Sequence, residues 1–295
     1  MSERDLLDAI DAAFVGVIAD GALGFVDDVA HLPAVASGHT RVTTVDMVVE
    51  GRDFDLSRSP PSSVGHRLVV QNLSDLASAG ATPVGFVWSL ALPKAFVDDV
   101  DALRSFMTGA AAAAKAGGMP MFGGDLSSTT GPLMASLTAF GDVAGPPLRR
   151  DTASAGDVLY VSRALGASGA GLRHLLDDQH DHACVQTHEF PTAETTLGPA
   201  LVGVATSCMD ISDSFAKDLH RLCRASGLGA VVDTLPVADG ADLDDALFGG
   251  EDYALLFTCR PGVAPPAGTA IGVVTAGHDV TWQGQPLPAR GWDHF

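Results

Sequence analysis

A chain of 295 residues is long enough for one large or two ordinary domains. With 46% hydrophobic and 18% charged residues it can build a buried core, which excludes wholesale disorder. Seventeen Lys and Arg against 36 Asp and Glu give a net charge of −19, which argues against a nucleic-acid partner, because nucleic-acid binding rests on neutralising phosphates with basic side chains.

Alternation over 41–49 predicts a strand with Thr44, Asp46 and Val48 on one face. Residues 64–79 read as a helix stopped by Gly80, followed by an apolar strand over 84–92. A second helix is predicted over 97–116, with Gly117-Gly118 as its stop. Strands at 119–122 and 133–140 flank a predicted Gly123-Gly124-Asp125 turn. The Gly/Pro cluster at 141–147 marks a domain boundary, giving domains 1–145 and 146–295; similar clusters lie at 59–63 and 261–268. Beyond it come a strand at 158–162, a small-residue helix at 166–176 and a helix near 197–205. A strand at 207–209 then feeds a helix at 214–226, and further strands are expected at 230–232, 253–258 and 270–274. Strands and helices alternate in both halves, so the fold class is α/β with two domains.

The start, Met1-Ser2-Glu3-Arg4-Asp5, is too acidic for a signal peptide. No segment reaches the ~18 unbroken apolar residues of a membrane span. Cys184, Cys208, Cys223 and Cys259 lack C-x-x-C spacing and read as buried thiols of a reducing compartment. These features predict a soluble cytoplasmic protein with no membrane partner.

No G-x-x-x-x-G-K-[ST] is present, and Gly166, Gly169 and Gly171 have the wrong spacing for a dinucleotide fingerprint. A G-x-S-x-G elbow is also absent. What stands out is a set of carboxylates at the ends of apolar segments: Asp27-Asp28, Asp46, Asp75, Asp125, Asp210, Asp213 and Glu251-Asp252. Asp213 fits either a ligand or the N-cap of the helix that follows, and Asp27, Asp28 and Asp125 fit ordinary turns. Asp98-Asp99, Asp177-Asp178 and Asp244-Asp245 read as solvated faces or turns. Asp46 and Asp75 are harder to explain in apolar segments, where an unpaired carboxylate costs several kcal/mol. Asp75 shares a helix face with Asn72. His174, His180 and His182 could be zinc-like, but their loose spacing in a polar segment favours a surface loop. His188, His220 and His294 have no partner at motif spacing. With only Lys94, Lys115 and Lys217 as lysines, metal is the better partner for the carboxylates. Hard oxygen ligands on glycine-rich segments suit Mg²⁺ and phosphoryl transfer.

Several segments together resemble the thiamine-monophosphate kinase family of the aminoimidazole ribonucleotide synthetase superfamily. They are Val26-Asp27-Asp28-Val29-Ala30, the strand from Thr44 through Asp46 to Gly51, and Asn72-Leu73-Ser74-Asp75-Leu76-Ala77. Gly123-Gly124-Asp125, Met209-Asp210-Ile211-Ser212-Asp213, Gly249-Gly250-Glu251-Asp252-Tyr253 and Gly291-Trp292-Asp293-His294-Phe295 complete the set. The resemblance implies an N-terminal mixed sheet that forms a dimer barrel, a C-terminal α/β domain, and a homodimer. It implies ATP- and Mg²⁺-dependent, direct γ-phosphoryl transfer to thiamine monophosphate, giving thiamine diphosphate. Asp27, Thr44, Asp46, Asp75, Asp125, Asp210 and Asp213 match its magnesium positions, with Asp46, Asp75, Asp125 and Asp210 catalytic. Gly124, Asp125, Arg150 and Ser212 match nucleotide positions, and Glu251 and Trp292 match the thiamine side.

Some positions depart from the family pattern. Val26 replaces a glycine, Ser214 replaces the glycine after the D-I-S-D motif, and Met107 replaces a tyrosine. Asp53 stands where a substrate-holding histidine is usual. Pro191-Thr192-Ala193-Glu194 lacks the arginine of a P-x-P-R segment. Those changes keep open a relative acting on another small acceptor, or an idle nucleotide-binding homologue.

Overall fold

The computed structural model describes residues 3–18 and 32–293; the Asp27-Asp28 pair, Val26, His294 and Phe295 lie outside them. The chain forms two compact units, one of Met1–Ser37, Arg41–Leu73 and Pro83–Asp142, the other of Gly38–Thr40, Ser74–Thr82 and Val143–Phe295.

The first unit contains helix α1 (Glu3–Ala13), α3 (Lys94–Asp98), α4 (Val100–Ala116) and β3 (Met121–Thr129), and most of β1 (His39–Val49), α2 (Pro61–Ser78), β2 (Thr82–Pro93) and β4 (Met134–Ala144). Its four strands run in the order β1-β4-β2-β3, with β2 and β3 parallel. Proline suits the first turn of α2, where its missing N–H has no helical partner to lose. Gly80, at φ +75°, follows the helix end in a conformation that side chains resist. Helices α2 and α4 touch backbone to backbone. A Cβ on Gly65 would lie 2.1 Å from the Phe106 carbonyl oxygen, and one on Gly109 would lie 1.9 Å from that of Ser62. Phe14, Phe86, Trp88, Phe96 and Phe106 form an aromatic cluster in the core beside them, with Trp88 and Phe106 stacked, and Phe14 with Trp88, Phe86 with Trp88 and Phe96 with Phe106 edge-to-face.

Two expectations change here. The helix predicted over 97–116 is broken at Asp99, whose side chain accepts the Ala102 N–H at 3.0 Å and starts α4 as its N-cap. The strand predicted to end at 122 instead runs through Gly123-Gly124-Asp125, because parallel pairing places Gly124 opposite Trp88 and Asp125 opposite Ser89.

The second unit is a seven-stranded sheet in the order β11-β10-β7-β9-β5-β8-β6. Its strands are β5 (Val158–Val161), β6 (Ser207–Asp210), β7 (Gly229–Val232), β8 (Leu255–Cys259), β9 (Thr269–Thr275), β10 (Val280–Trp282) and β11 (Gln285–Pro286). Only β10 and β7 pair in parallel; the other neighbours are antiparallel. The helices are α5 (Ala167–Leu176), α6 (Ala183–Glu189), α7 (Leu197–Ala200), α8 (Phe215–Ser226) and α9 (Leu243–Phe248). Helix α8 buries Phe215, Leu219, Leu222 and Cys223 in a core with Ile211, Ala230, Val232 and Leu256. The helix expected over 197–205 is a single four-residue turn. All four cysteines are buried and free. No helix among the described residues is long and apolar enough to cross a membrane.

Candidate functional site

In the first unit, β1 carries Thr44 and Asp46 on its half-buried face, while Val45 and Met47 on the other face are 62% and 56% exposed. Asp46 is therefore less enclosed than its apolar neighbours in sequence suggest, which weakens the desolvation argument made for it. Asp125 is exposed on β3. Strands β1 and β3 are the two edges of their sheet. A Cβ on Gly124 would lie 2.4 Å from both Cδ1 and the carbonyl oxygen of Trp88, so the missing side chain makes room for the indole. Asp53 has a local explanation: its Oδ2 accepts the Val49 N–H at 2.8 Å and closes the turn around Gly51, at φ +78°. The Asp53 carbonyl accepts from Arg67 at 2.7 Å. The shared face of Asn72 and Asp75 does not pair them. Asn72 is fully buried and bonds back to the Leu68 carbonyl at 2.9 Å.

The second unit gathers more of the expected residues. Asp210 is buried at the end of β6, where its Oδ2 accepts the Ser74 hydroxyl at 2.7 Å. Ser74 precedes the half-buried Asp75 on the last turns of α2. After Asp210 the chain turns through Ile211-Ser212-Asp213-Ser214 into α8. The helix N-cap is Ser214, not Asp213: Ser214 Oγ accepts the Lys217 N–H at 3.0 Å. The Asp213 carboxylate instead contacts Arg221 and lies 3.5 Å from Lys217 Nζ.

Asp218, which the sequence reading passed over, holds this turn. Fully buried, its Oδ2 accepts the N–H groups of Ser212, Asp213 and Ser214 at 3.0, 3.0 and 3.2 Å, and its Oδ1 accepts from Arg221 at 2.6 Å. Burial pushes its carboxyl above the ordinary carboxylate range, against the opposing pull of those N–H groups and of Arg221. A carboxylate one turn into a helix after a polar D-x-S-D-S turn is the signal that could have found it.

The Gly249-Gly250-Glu251-Asp252-Tyr253 segment lies directly against that turn. Glu251 N donates to the Ser212 carbonyl at 2.7 Å and Tyr253 N to that of Ile211 at 2.9 Å. A Cβ on Gly250 would lie 2.6 Å from the Ser212 oxygen. Glu251 and Tyr253 adopt φ of +58° and +47°, conformations that cost energy in side-chain-bearing residues and that collect at functional sites. Asp252 accepts the Gly166 N–H at 2.9 Å and so fixes the segment to the start of α5. Burial raises its carboxyl to about 6, against those backbone donors.

The C-terminal stretch lies over the same turn. Ser214 Oγ donates to the Arg290 carbonyl at 2.6 Å, Trp292 N to the Asp213 carbonyl at 3.0 Å, and Lys217 to the Trp292 carbonyl and to Asp293. Trp292 keeps 42% of its surface exposed. Ser212, Asp213, Glu251 and Trp292 thus share one neighbourhood. Arg150 is exposed, and no hydrogen bond or ion pair to its guanidinium is seen among the described residues. The segment without its expected arginine is held by another: Arg163 donates to Thr192 Oγ1 at 2.8 Å, to the Thr192 carbonyl at 2.6 Å and to the Tyr253 carbonyl at 2.8 Å.

Other polar residues have structural roles. Asp245, read as solvated, is buried in a capping box with Asp242 and paired to Arg173 at 2.6 Å. Burial opposes ionisation there, but Arg173 and the Asp242 N–H hold its pKa below the ordinary value. His182 caps α6 and stacks on His174 at 3.7 Å. Among the described residues no three His, Cys, Asp or Glu side chains converge as a metal cage.

The fold can be placed by comparison with known proteins. The AIR synthase related protein N-terminal domain matches residues 26–143, and the corresponding C-terminal domain matches residues 154–283. The chain is therefore a two-domain protein of the AIR synthase-related class. The thiamine-monophosphate kinase of Salmonella typhimurium is 34% identical over 92% of this chain and 91% of its own. A crystal structure of thiamine-monophosphate kinase from Stenotrophomonas maltophilia superposes with a TM-score of 0.82 at 30% identity, over 97% of this chain and 98% of that one. The structure described as AaThiL complexed with AMPPCP and TMP gives 0.82 at 29% identity, over 99% and 97%. The chain belongs to the thiamine-monophosphate kinase family.

Proposed function

We propose that this chain transfers the γ-phosphoryl group of ATP to the phosphate of thiamine monophosphate, giving ADP and thiamine diphosphate. A phosphate oxygen of the acceptor forms a bond to the γ-phosphorus as the bond to the β–γ bridging oxygen breaks, and ADP carries away that electron pair. The observation that carries the reading is likeness along nine tenths of the chain to a thiamine-monophosphate kinase. The full set of acidic motifs is kept alongside it.

The donor set fits magnesium. Asp46, Asp125, Asp75 and Asp210 offer hard carboxylate oxygens and Thr44 a hydroxyl, with Asp27 outside the described residues. Magnesium characteristically takes one or two carboxylates and completes its shell with substrate phosphates and water. Held by carboxylates of this kind, it would neutralise the phosphates and so permit an anion to approach a protein of net charge −19. Arg150, with its guanidinium exposed, is suited to a bidentate phosphate contact. Gly124 and Asp125 on β3 and Ser212 on the turn held by Asp218 are the proposed nucleotide contacts. Glu251 and the half-exposed Trp292 face a cationic thiazolium, by charge and by stacking respectively. Asp213, already engaged by Arg221 and Lys217, serves as a second-rank ligand at most. Asp53 is accounted for by its own turn, so no acceptor contact is assigned to it.

The exposed Val45 and Met47 on edge strand β1 support a homodimer through this sheet. A cytoplasmic location is consistent with four free thiols. The test is an acceptor screen by ADP release with MgATP, repeated for Asp75→Asn. Dependence on thiamine monophosphate, lost in a variant with unchanged circular dichroism, is the expected result. Release with a different acceptor, or an Asp75→Asn protein of full activity, would overturn the assignment.

A further inference from the structure

Helix α5 is rich in small residues, and its glycines, useless as a dinucleotide fingerprint, turn out to be contact points. A Cβ on Gly171 would lie 2.1 Å from the Cys184 carbonyl oxygen and 2.7 Å from His188 Cβ, so α6 packs onto α5 backbone against side chain. A Cβ on Gly169 would lie 3.1 Å from Gly249 Cα, so the segment bearing Glu251 packs on α5 as well. Between these contacts sits His188, 3% exposed. Its Nδ1 lies 3.0 Å from Ser168 Oγ on α5 and 3.6 Å from Glu251 Oε2. The other Glu251 oxygen lies 3.4 Å from the Tyr253 hydroxyl, which donates to it.

An ionised carboxylate accepts hydrogen bonds and has no proton to give, so it favours a hydrogen on the nitrogen that faces it. Nδ1 hydrogen-bonds Ser168 Oγ and lies at ion-pair distance from Glu251, beyond a hydrogen bond; the Nδ1–H tautomer is the neutral form that presents a donor to that carboxylate. Glu251 needs such a support. Its backbone is in the left-handed region, at φ +58°, and its side chain would otherwise choose among several rotamers.

We propose that His188 is a positioning residue for the acceptor: through its Nδ1–H it fixes the Glu251 carboxylate, and so sets affinity for the cationic thiamine moiety without touching it. This rests on the reading of the chain as a thiamine-monophosphate kinase. Ser168, itself oriented by α5, fixes the imidazole in turn.

The experiment compares His188→Leu, which removes the donor, with His188→Asn, whose amide nitrogen replaces Nδ1, and with Ser168→Ala. Steady-state kinetics are measured with thiamine monophosphate and with ATP varied separately. Loss of the polar contact that holds Glu251 should raise KM for thiamine monophosphate about tenfold in His188→Leu, with KM for ATP unchanged. His188→Asn should return it to within about threefold of the parent. If His188→Leu proves unfolded, Ser168→Ala carries the test, with a smaller rise in the same constant. Nitrogen-15 NMR of the parent protein should show the Nδ1–H tautomer, perturbed by Glu251→Gln. Equal KM values for thiamine monophosphate in the parent, His188→Leu and Ser168→Ala would overturn the proposal, as would an Nε2–H tautomer. A parent protein with no activity toward thiamine monophosphate, yet showing the Nδ1–H tautomer and its response to Glu251→Gln, would overturn the functional reading and leave only the His188–Glu251 contact standing.

Discussion

Asp218 gives the sharpest test of how the site is held. Replacing it by alanine strips the acceptor from three backbone N–H groups and leaves Arg221 with Asp213 alone. Ser214 is fully buried, whereas Ser212 and Asp213 are half-buried and can recruit water. Breaking a buried, hydrogen-bonded charge pair from one side costs about 3–5 kcal/mol. The partial exposure of the turn and of Arg221 places Asp218→Ala near the lower end, at about 3 kcal/mol. Asp218→Asn keeps a side-chain oxygen for the turn but faces Arg221 with an amide NH2, losing both the charge and the acceptor there, so it should cost less than Asp218→Ala but more than a neutral change. Urea unfolding followed by circular dichroism measures both, and kcat/KM with MgATP should fall further in the alanine variant while the protein is still folded. A loss below about 1 kcal/mol for Asp218→Ala, or equal losses for the two variants, would refute the idea that this carboxylate clamps the turn.

Three further outcomes follow from the same geometry. Gly171→Ala places a Cβ against the Cys184 carbonyl, and overpacking of this kind should cost about 1–3 kcal/mol in urea, where Gly203→Ala would not report on that contact. Ser214→Gly removes the hydrogen bond to the Arg290 carbonyl and the N-cap bond from Lys217 N–H, the latter costing only a few tenths of a kcal/mol with glycine; loss of about 1 kcal/mol of local stability should speed tryptic cleavage after Arg290 about fivefold with global stability little changed. Asp252, with its carboxyl raised to about 6, binds a proton more readily folded than unfolded, so its contribution is present below about pH 4 and is lost as pH rises through 6. Relative to Asp252→Asn, the parent should therefore lose about 2–3 kcal/mol of stability between pH 4 and pH 7, and a pH-independent difference between the two would contradict this.

Much of this was legible in the sequence, for reasons particular residues show. Strand β1 and helix α8 each carry a full hydrophobic period, so their extents and buried faces follow directly from the residue pattern. The Asp210–Asp213 and Gly249–Tyr253 segments announce themselves because glycines and carboxylates at strand ends have few purely structural uses. Short elements escaped: α6, α9, β10 and β11 have between two and seven residues, too few for a period to emerge. The break at Asp99 escaped because an aspartate in an apolar helical pattern looks the same whether it caps or decorates. The supports of the site were least visible. Asp218 and His188 act across 6 and 63 residues respectively, on Ser212 and Glu251, and only the fold brings those partners together. Gly124 illustrates the converse, since its missing side chain is explained by Trp88 on the neighbouring strand.

A thiamine-monophosphate kinase phosphorylates a phosphate rather than an alcohol. The most direct measurement incubates the purified protein with MgATP carrying labelled γ-phosphate and thiamine monophosphate, with thiamine as the control acceptor, and identifies products by mass spectrometry. Label is expected in the terminal phosphate of thiamine diphosphate, with one ADP for each product molecule and none from thiamine. ATP that binds without thiamine diphosphate being formed, or label appearing on thiamine itself, would contradict that assignment.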